Sequence, residues 1–157
     1  MILPRRGAVV ASPSSATIHD IFAVRERLEP LAARLAAERA TPGDVNSLRS
    51  VLEQARLATE HQDLRRVAEL NSALHLQILE ISGNPWLASI AKALYLHVQW
   101  VFQLTAEIRA PHSWDEHIKL VDAIESGDGG LAEVVALEHV GAASTAAHQT
   151  TSGDDRP

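Results

Sequence analysis

At 157 residues the chain has room for one domain with a real hydrophobic core, and its 46% apolar but only 4% aromatic content, rich in Ala and Leu, favours helices over sheet. A formal charge of -6 with no basic stripe argues against phosphate-backbone binding by this chain. The absence of cysteine excludes disulfides, thiolate metal sites and cysteine nucleophiles, and it fits a cytoplasmic protein. The most apolar segment, 88–106, carries Lys92, His97, Gln99 and Gln103 and is too polar to span a bilayer, so no membrane partner is expected.

In chain order, residues 1–17 read as a leader: Arg5-Arg6-Gly7 turns into a short strand at Ala8-Val9-Val10-Ala11, followed by a Ser/Pro linker. Helix one is predicted from about Thr17 to Ala40 on a stripe of Ile21, Val24, Leu28, Leu31 and Leu35, with a kink or lost hydrogen bond at Pro30. Thr41-Pro42-Gly43-Asp44 starts helix two, whose inner face is Val45, Leu48, Leu52 and Ala55. Asp63 caps helix three. Asn84-Pro85 opens helix four, with Asn84 as its cap and Leu87, Ile90, Leu94 and Val101 inward. Ala110-Pro111-His112-Ser113 reads as a break, with Ser113 capping a fifth helix that carries Glu116, His117, Ile118, Val121 and Ile124. Ser126-Gly127-Asp128-Gly129-Gly130 ends that helix, and a sixth from Leu131 holds Val134, Val135 and His139. The residues from 150 to 157 form a polar tail expected to be disordered. The expectation is an all-α, antiparallel bundle of about six helices spanning 18–149.

Helix three holds the most informative stretch, Asn71-Ser-Ala-Leu-His75 to Gly83-Asn84-Pro85. Val67, Leu70, Leu74, Ile78 and Ile81 step by three or four and form a buried stripe. His75 sits at its border with Asn71 one turn earlier, so an imidazole and a carboxamide project side by side toward the interior. Inward polar groups need partners. His117 and His139, each near the inner face of a later helix, are the candidates.

Taken together, the chain resembles the C-terminal effector-binding domain (FCD domain) of GntR-family transcription regulators of the FadR subfamily. The carriers are Val24-Arg25-Glu26-Arg27-Leu28-Glu29, Leu35-Ala36-Ala37-Glu38-Arg39-Ala40-Thr41, Leu74-His75, Ser82-Gly83-Asn84, Glu116-His117, Ala123-Ile124, Gly127-Asp128 and His139, over roughly residues 19–148. The resemblance implies an all-helical, usually dimeric domain that binds a small organic acid or related metabolite. It implies a divalent metal on His75, His117 and His139, with Asn71 where the family usually has Asp; Zn, Ni or Mn would suit such donors. It further implies that Arg25 can face the cavity and hold a carboxylate bidentately, although Arg25 could also pair with Glu29 on the surface. The leader looks like the last wing strand of a winged helix-turn-helix domain, the part that would contact DNA and that is otherwise absent from this chain.

The expected function is ligand sensing and dimerisation, with an anionic effector, a homodimer as the assembly and no enzymatic activity. Four neutral donors would leave a bound cation its full charge, which favours an anion in the remaining coordination positions. A metal-dependent hydrolase is an alternative, weakened because Glu116 points about 100° away from His117 around the helix and leaves no evident base. A helical interaction protein with incidental histidines is the other alternative. The remaining histidines, His19, His61, His97, His112 and His148, read as surface or partly solvated groups, with His97 the one that could line the pocket.

Overall fold

The computed structural model describes residues 13–151. The expected strand at Ala8–Ala11 and the tail beyond residue 151 lie outside the described residues. Five helices follow one another: α1 (Ser15–Arg39), α2 (Pro42–Glu60), α3 (Leu64–Ile81), α4 (Pro85–Glu125) and α5 (Gly129–Thr151). The expected helical segments are all there, and the two on either side of Pro111 run on as one.

The helix starts follow local chemistry. Ser14 accepts from the Thr17 amide at the head of α1. Thr41 and Asp44 form a reciprocal capping box on α2. Asp63 caps α3, and Asn84 accepts from the Trp86 and Leu87 amides at α4. Gly83 (φ 63°) and Gly127 (φ 74°) take the left-handed conformation that ends α3 and α4, where a side chain would be strained.

Pro111 does not break α4. The buried positions Ala106, Ala110, Trp114, His117 and Val121 keep a three-or-four step through it, so packing holds the helix in register across the one missing N–H. Ser113, expected as a cap, is fully buried and returns its hydroxyl to the Ala110 carbonyl. At 41 residues, about 60 Å by the helical rise, α4 is the spine: it packs against each of the other four helices.

On α1 the inward face differs from the expected stripe. Val24 and Leu31 are 42% and 40% exposed, whereas Ile18, Phe22, Arg25, Glu29, Ala32 and Ala36 are buried. Small residues on this face let α1 lie close along α5, its most extensive neighbour. The expected faces of α2 and α3 are as observed, with Val45, Leu48, Leu52, Ala55, Val67, Leu70, Leu74 and Ile78 buried. Ile90, Ile118 and Val134 instead face outward. Cross-ties between helices include Arg39 Nη1 donating to the Ser82 carbonyl at 2.5 Å and Arg49 bridging α2 to Asp122 and Glu125 of α4. Among the described residues, no helix is long and apolar enough to cross a membrane.

Candidate metal centre

Three helices bring their histidines to one point. His75 of α3, His117 of the second half of α4 and His139 of α5 are all buried, at 3%, 0% and 4% exposure. His117 Nε2 lies 3.2 Å from His75 Nε2 and 3.2 Å from His139 Nε2. The rings stand 4.5 to 5.1 Å apart, centre to centre. Nitrogens sharing one cation at ordinary bond lengths stand about 3.0–3.4 Å apart, so both His117 spacings fit a common ligand sphere, and the ligand atoms of all three residues lie within 4.8 Å of one another. Within the described residues this is the one group of three or more such side chains with that convergence.

Hydrogen bonding decides which nitrogen faces inward. His139 Nδ1–H donates to Glu116 Oε2 at 2.7 Å, and His75 Nδ1 lies 3.3 Å from Glu29 Oε2. A carboxylate accepts only, so in His139 the proton sits on Nδ1 and the Nε2 lone pair points to the centre, and Glu29 stands at the same edge of the His75 ring. Burial pushes His75 down to about 3 against the pull of Glu29, and pushes His117 well below the ordinary imidazole range. Both rings are therefore neutral at pH 7, the form that binds metal. Burial alone would raise both glutamates. Arg25, with His75, brings Glu29 down to about 2. Hydrogen bonds from His139 and Arg109 bring Glu116 to about 2.

Asn71, one turn before His75 on α3, is 2% exposed, and its Oδ1 is buried without a hydrogen-bond partner. Ser72 Oγ, Arg109 Nε and His117 Nδ1 are likewise buried and unpaired. Orphaned buried polar atoms are costly, and here several lie on residues that touch the histidines or their partners. The Tyr95 ring stands 5.8 Å from that of His75, and burial together with Glu29 raises its phenol and keeps it neutral. Three converging imidazole nitrogens, with an unpaired buried amide oxygen one helical turn before His75, are donors suited to a divalent cation. The residues present thus fit the metal that the resemblance implies.

Arg25 is buried, and its partner is internal. Its Nε and Nη2 meet Glu29 Oε1 and Oε2 at 2.5 and 3.2 Å, and its guanidinium lies 4.9 Å from the Phe22 ring centre. The i, i+4 pair read from the sequence is there, but in the core rather than on the surface. His19, His61, His97 and His112 are exposed and lie away from the centre. Glu29, Tyr95 and Arg109 were not legible as site residues, and Glu116 was legible only as a misdirected base. The available signals were the i, i+4 spacing of Arg25 and Glu29 and the two-turn spacing of Arg109 and Glu116.

A cavity of about 480 Å³ between α2 and α4 shares Trp114 with this region. The Trp114 ring packs 5.0 Å from that of His117, and its indole N–H donates to Thr59 Oγ1 at 2.8 Å.

With this geometry in view, the chain was compared with known proteins. The FCD domain model matches residues 20–142. The galactonate operon transcriptional repressor of Escherichia coli K12 is 35% identical over 117 residues, 73% of this chain and 50% of the repressor. A probable D-xylose utilization operon transcriptional repressor of Paenarthrobacter nicotinovorans is 28% identical over 133 residues, 84% of this chain and 58% of that protein. The solved structure of E. coli McbR/YncC superposes with a TM-score of 0.79 at 22% identity, covering 94% of this chain and 76% of that one, which is a likeness of fold. The chain spans about half the length of the relatives it matches. With most of its length matched and its relatives being GntR-family regulators, the chain belongs to the FCD-domain family.

Proposed function

We propose that this bundle is the ligand-sensing and dimerisation module of a GntR-type transcription regulator, acting in the cytoplasm. In it His75, His117, His139 and Asn71 hold a divalent cation, Zn, Ni or Mn, that receives a small organic acid. The observation that carries the reading is the convergence of three buried imidazoles, Nε2 inward, within one site. When bound, the cation supplies a positive charge in a water-poor interior, where an anionic group is attracted strongly. The residues hold and orient it. One relative is named for a galactonate operon, and galactonate is an acid of the class proposed.

Catalysis is not favoured. Glu116, the nearest carboxylate to His139, is taken up by Arg109 and His139 and is not free to serve as a base toward a metal-bound water. DNA contact in such a regulator belongs to a winged helix-turn-helix domain, so this bundle acts on DNA through that domain and through pairing. The pairing surface is an outward stripe on α4 formed by Trp86, Ile90, Ala93, Trp100, Leu104 and Ile108. Trp86, Ile90 and Ile108 in it are 77%, 55% and 66% exposed.

Elemental analysis of gently purified protein, with mass spectrometry of co-purified small molecules, tests the reading. One transition-metal ion per chain together with an organic acid is the expected result. Protein that carries neither, and takes up neither when supplied, overturns it.

A further inference from the structure

Two ion pairs of the same make stand behind the histidines. On one side Arg25 closes on Glu29, and Glu29 Oε2 is shared between Arg25 Nη2 at 3.2 Å and His75 Nδ1 at 3.3 Å. On the other side Arg109 grips Glu116 with two nitrogens, and Glu116 Oε2 is shared between Arg109 Nη2 at 2.6 Å and His139 Nδ1 at 2.7 Å. The carboxylate touches the imidazole in each case, and the guanidinium touches the carboxylate.

These pairs differ from the others in the described residues. The side chains of Arg25 and Glu29 are 5% and 6% exposed, and those of Arg109 and Glu116 are 9% and 25%. In every other Arg–carboxylate pair described, each side chain is 35% exposed or more. Removing an ion pair from water contributes little or nothing net to stability. Their burial therefore needs another reason, and both carboxylates end on a histidine of the cluster. His117, the third histidine, has no such partner at Nδ1 and is set by packing against Trp114.

The charges point the same way. Three imidazoles and the Asn71 amide bring no negative charge to a cation. Carboxylates hydrogen-bonded to ligating imidazoles raise their basicity and fix their orientation.

We propose that Glu29 and Glu116 are positioning residues of the metal centre, holding His75 and His139 with Nε2 inward and supplying through them the negative charge that Asn71 does not bring. Arg25 and Arg109 then hold the glutamates aimed at the histidines, rather than meeting the effector's carboxylate themselves. The inference rests on the metal reading above and names the residues that make it work without an acidic ligand.

The test uses Co(II) as the probe, titrated into metal-free protein and followed by its visible absorption. Glu116→Gln keeps an acceptor for His139 but removes the charge, and should weaken Co(II) binding by about 10- to 100-fold. Adding Asn71→Asp to Glu116→Gln should restore most of the loss. Glu29→Gln alone would strand the buried Arg25 cation, so it is paired with Arg25→Met, and that double variant should weaken Co(II) in the same way. Melting temperatures of the metal-free variants separate a folding defect from a binding one, because a purely structural role lowers them without changing the Co(II) affinity of the folded fraction. Parent protein that binds Co(II) no better than Glu116→Gln and Arg25→Met/Glu29→Gln overturns the proposal and leaves the metal reading standing. Weakening without rescue by Asn71→Asp overturns the charge argument. Parent protein that binds no Co(II) removes the metal reading, and this inference with it.

Discussion

In the proposed metal centre, Asn71 is the residue at which the chemistry turns on one atom. Its Oδ1 is buried and unpaired, so a carboxylate in its place would put a charged oxygen where a neutral one now waits. Asn71→Asp is expected to tighten divalent metal binding by one to two powers of ten, on the order of 1.4 kcal/mol each. The gain should be larger in the Glu116→Gln background, where less negative charge stands behind His139. Because a ligand stabilises the fold by the logarithm of its concentration over its dissociation constant, the variant's melting temperature should rise more with Zn than the parent's. Without metal the order reverses, since a buried carboxylate facing no cation costs more than an amide. Equal Zn-induced shifts in both proteins would count against Asn71 as a donor. At this scale the sequence was informative where spacing put polar groups on an apolar face, as for Asn71, His75, His117 and His139. Glu29 and Arg25 were harder to place, because the leucine and valine stripe of α1 looked like the core face. The C-terminal half of the real face is mostly alanine, which marks burial less plainly than leucine does but allows a closer helix approach.

The element that decides most is α4. Its inner face runs unbroken from Leu87 to Ile124 and carries Tyr95, Arg109, Glu116 and His117, so one helix supplies groups on both sides of the centre. The sequence suggested two helices here because Pro111 and Ser113 look like a stop and a cap. Local chemistry of that kind was a good guide at Thr41, Asp63 and Asn84, where the chain is exposed enough for a cap to decide. At Pro111 the three-four rhythm of buried residues on both sides outweighed it. The outer face of α4 gives the next prediction. Its apolar stripe from Trp86 to Ile108 should pair two copies about a two-fold axis. Ile90→Glu with Leu104→Glu, both exposed positions, should give a monomer of unchanged helicity by light scattering and circular dichroism, while the parent scatters as a dimer. A monomeric parent at micromolar concentration, or a variant that still dimerises, would sink this surface.

On the scale of the whole molecule, the centre exists only when the bundle is assembled. Glu29 comes from α1, Asn71 and His75 from α3, Glu116 and His117 from α4, and His139 from α5, while α2 braces α4 through the Thr59–Trp114 hydrogen bond. No two neighbouring turns of sequence could form it. The helical class and most of the faces were readable from three-four periodicity, but the pairing of His75 with Glu29 and of His139 with Glu116 depends on helix rotation, which periodicity fixes only to within a residue. The same dependence makes the proposed metal binding a property of the folded domain, since the unfolded chain does not hold these donors together. The most direct measurement is anomalous diffraction at the zinc edge from crystals grown with Zn. The account predicts a single strong peak per chain within bonding distance of Nε2 of His75, His117 and His139, with Asn71 Oδ1 turned toward it, and its loss in His117→Ala. Electron density showing the three imidazoles hydrogen-bonded to one another with no anomalous peak between them would contradict it.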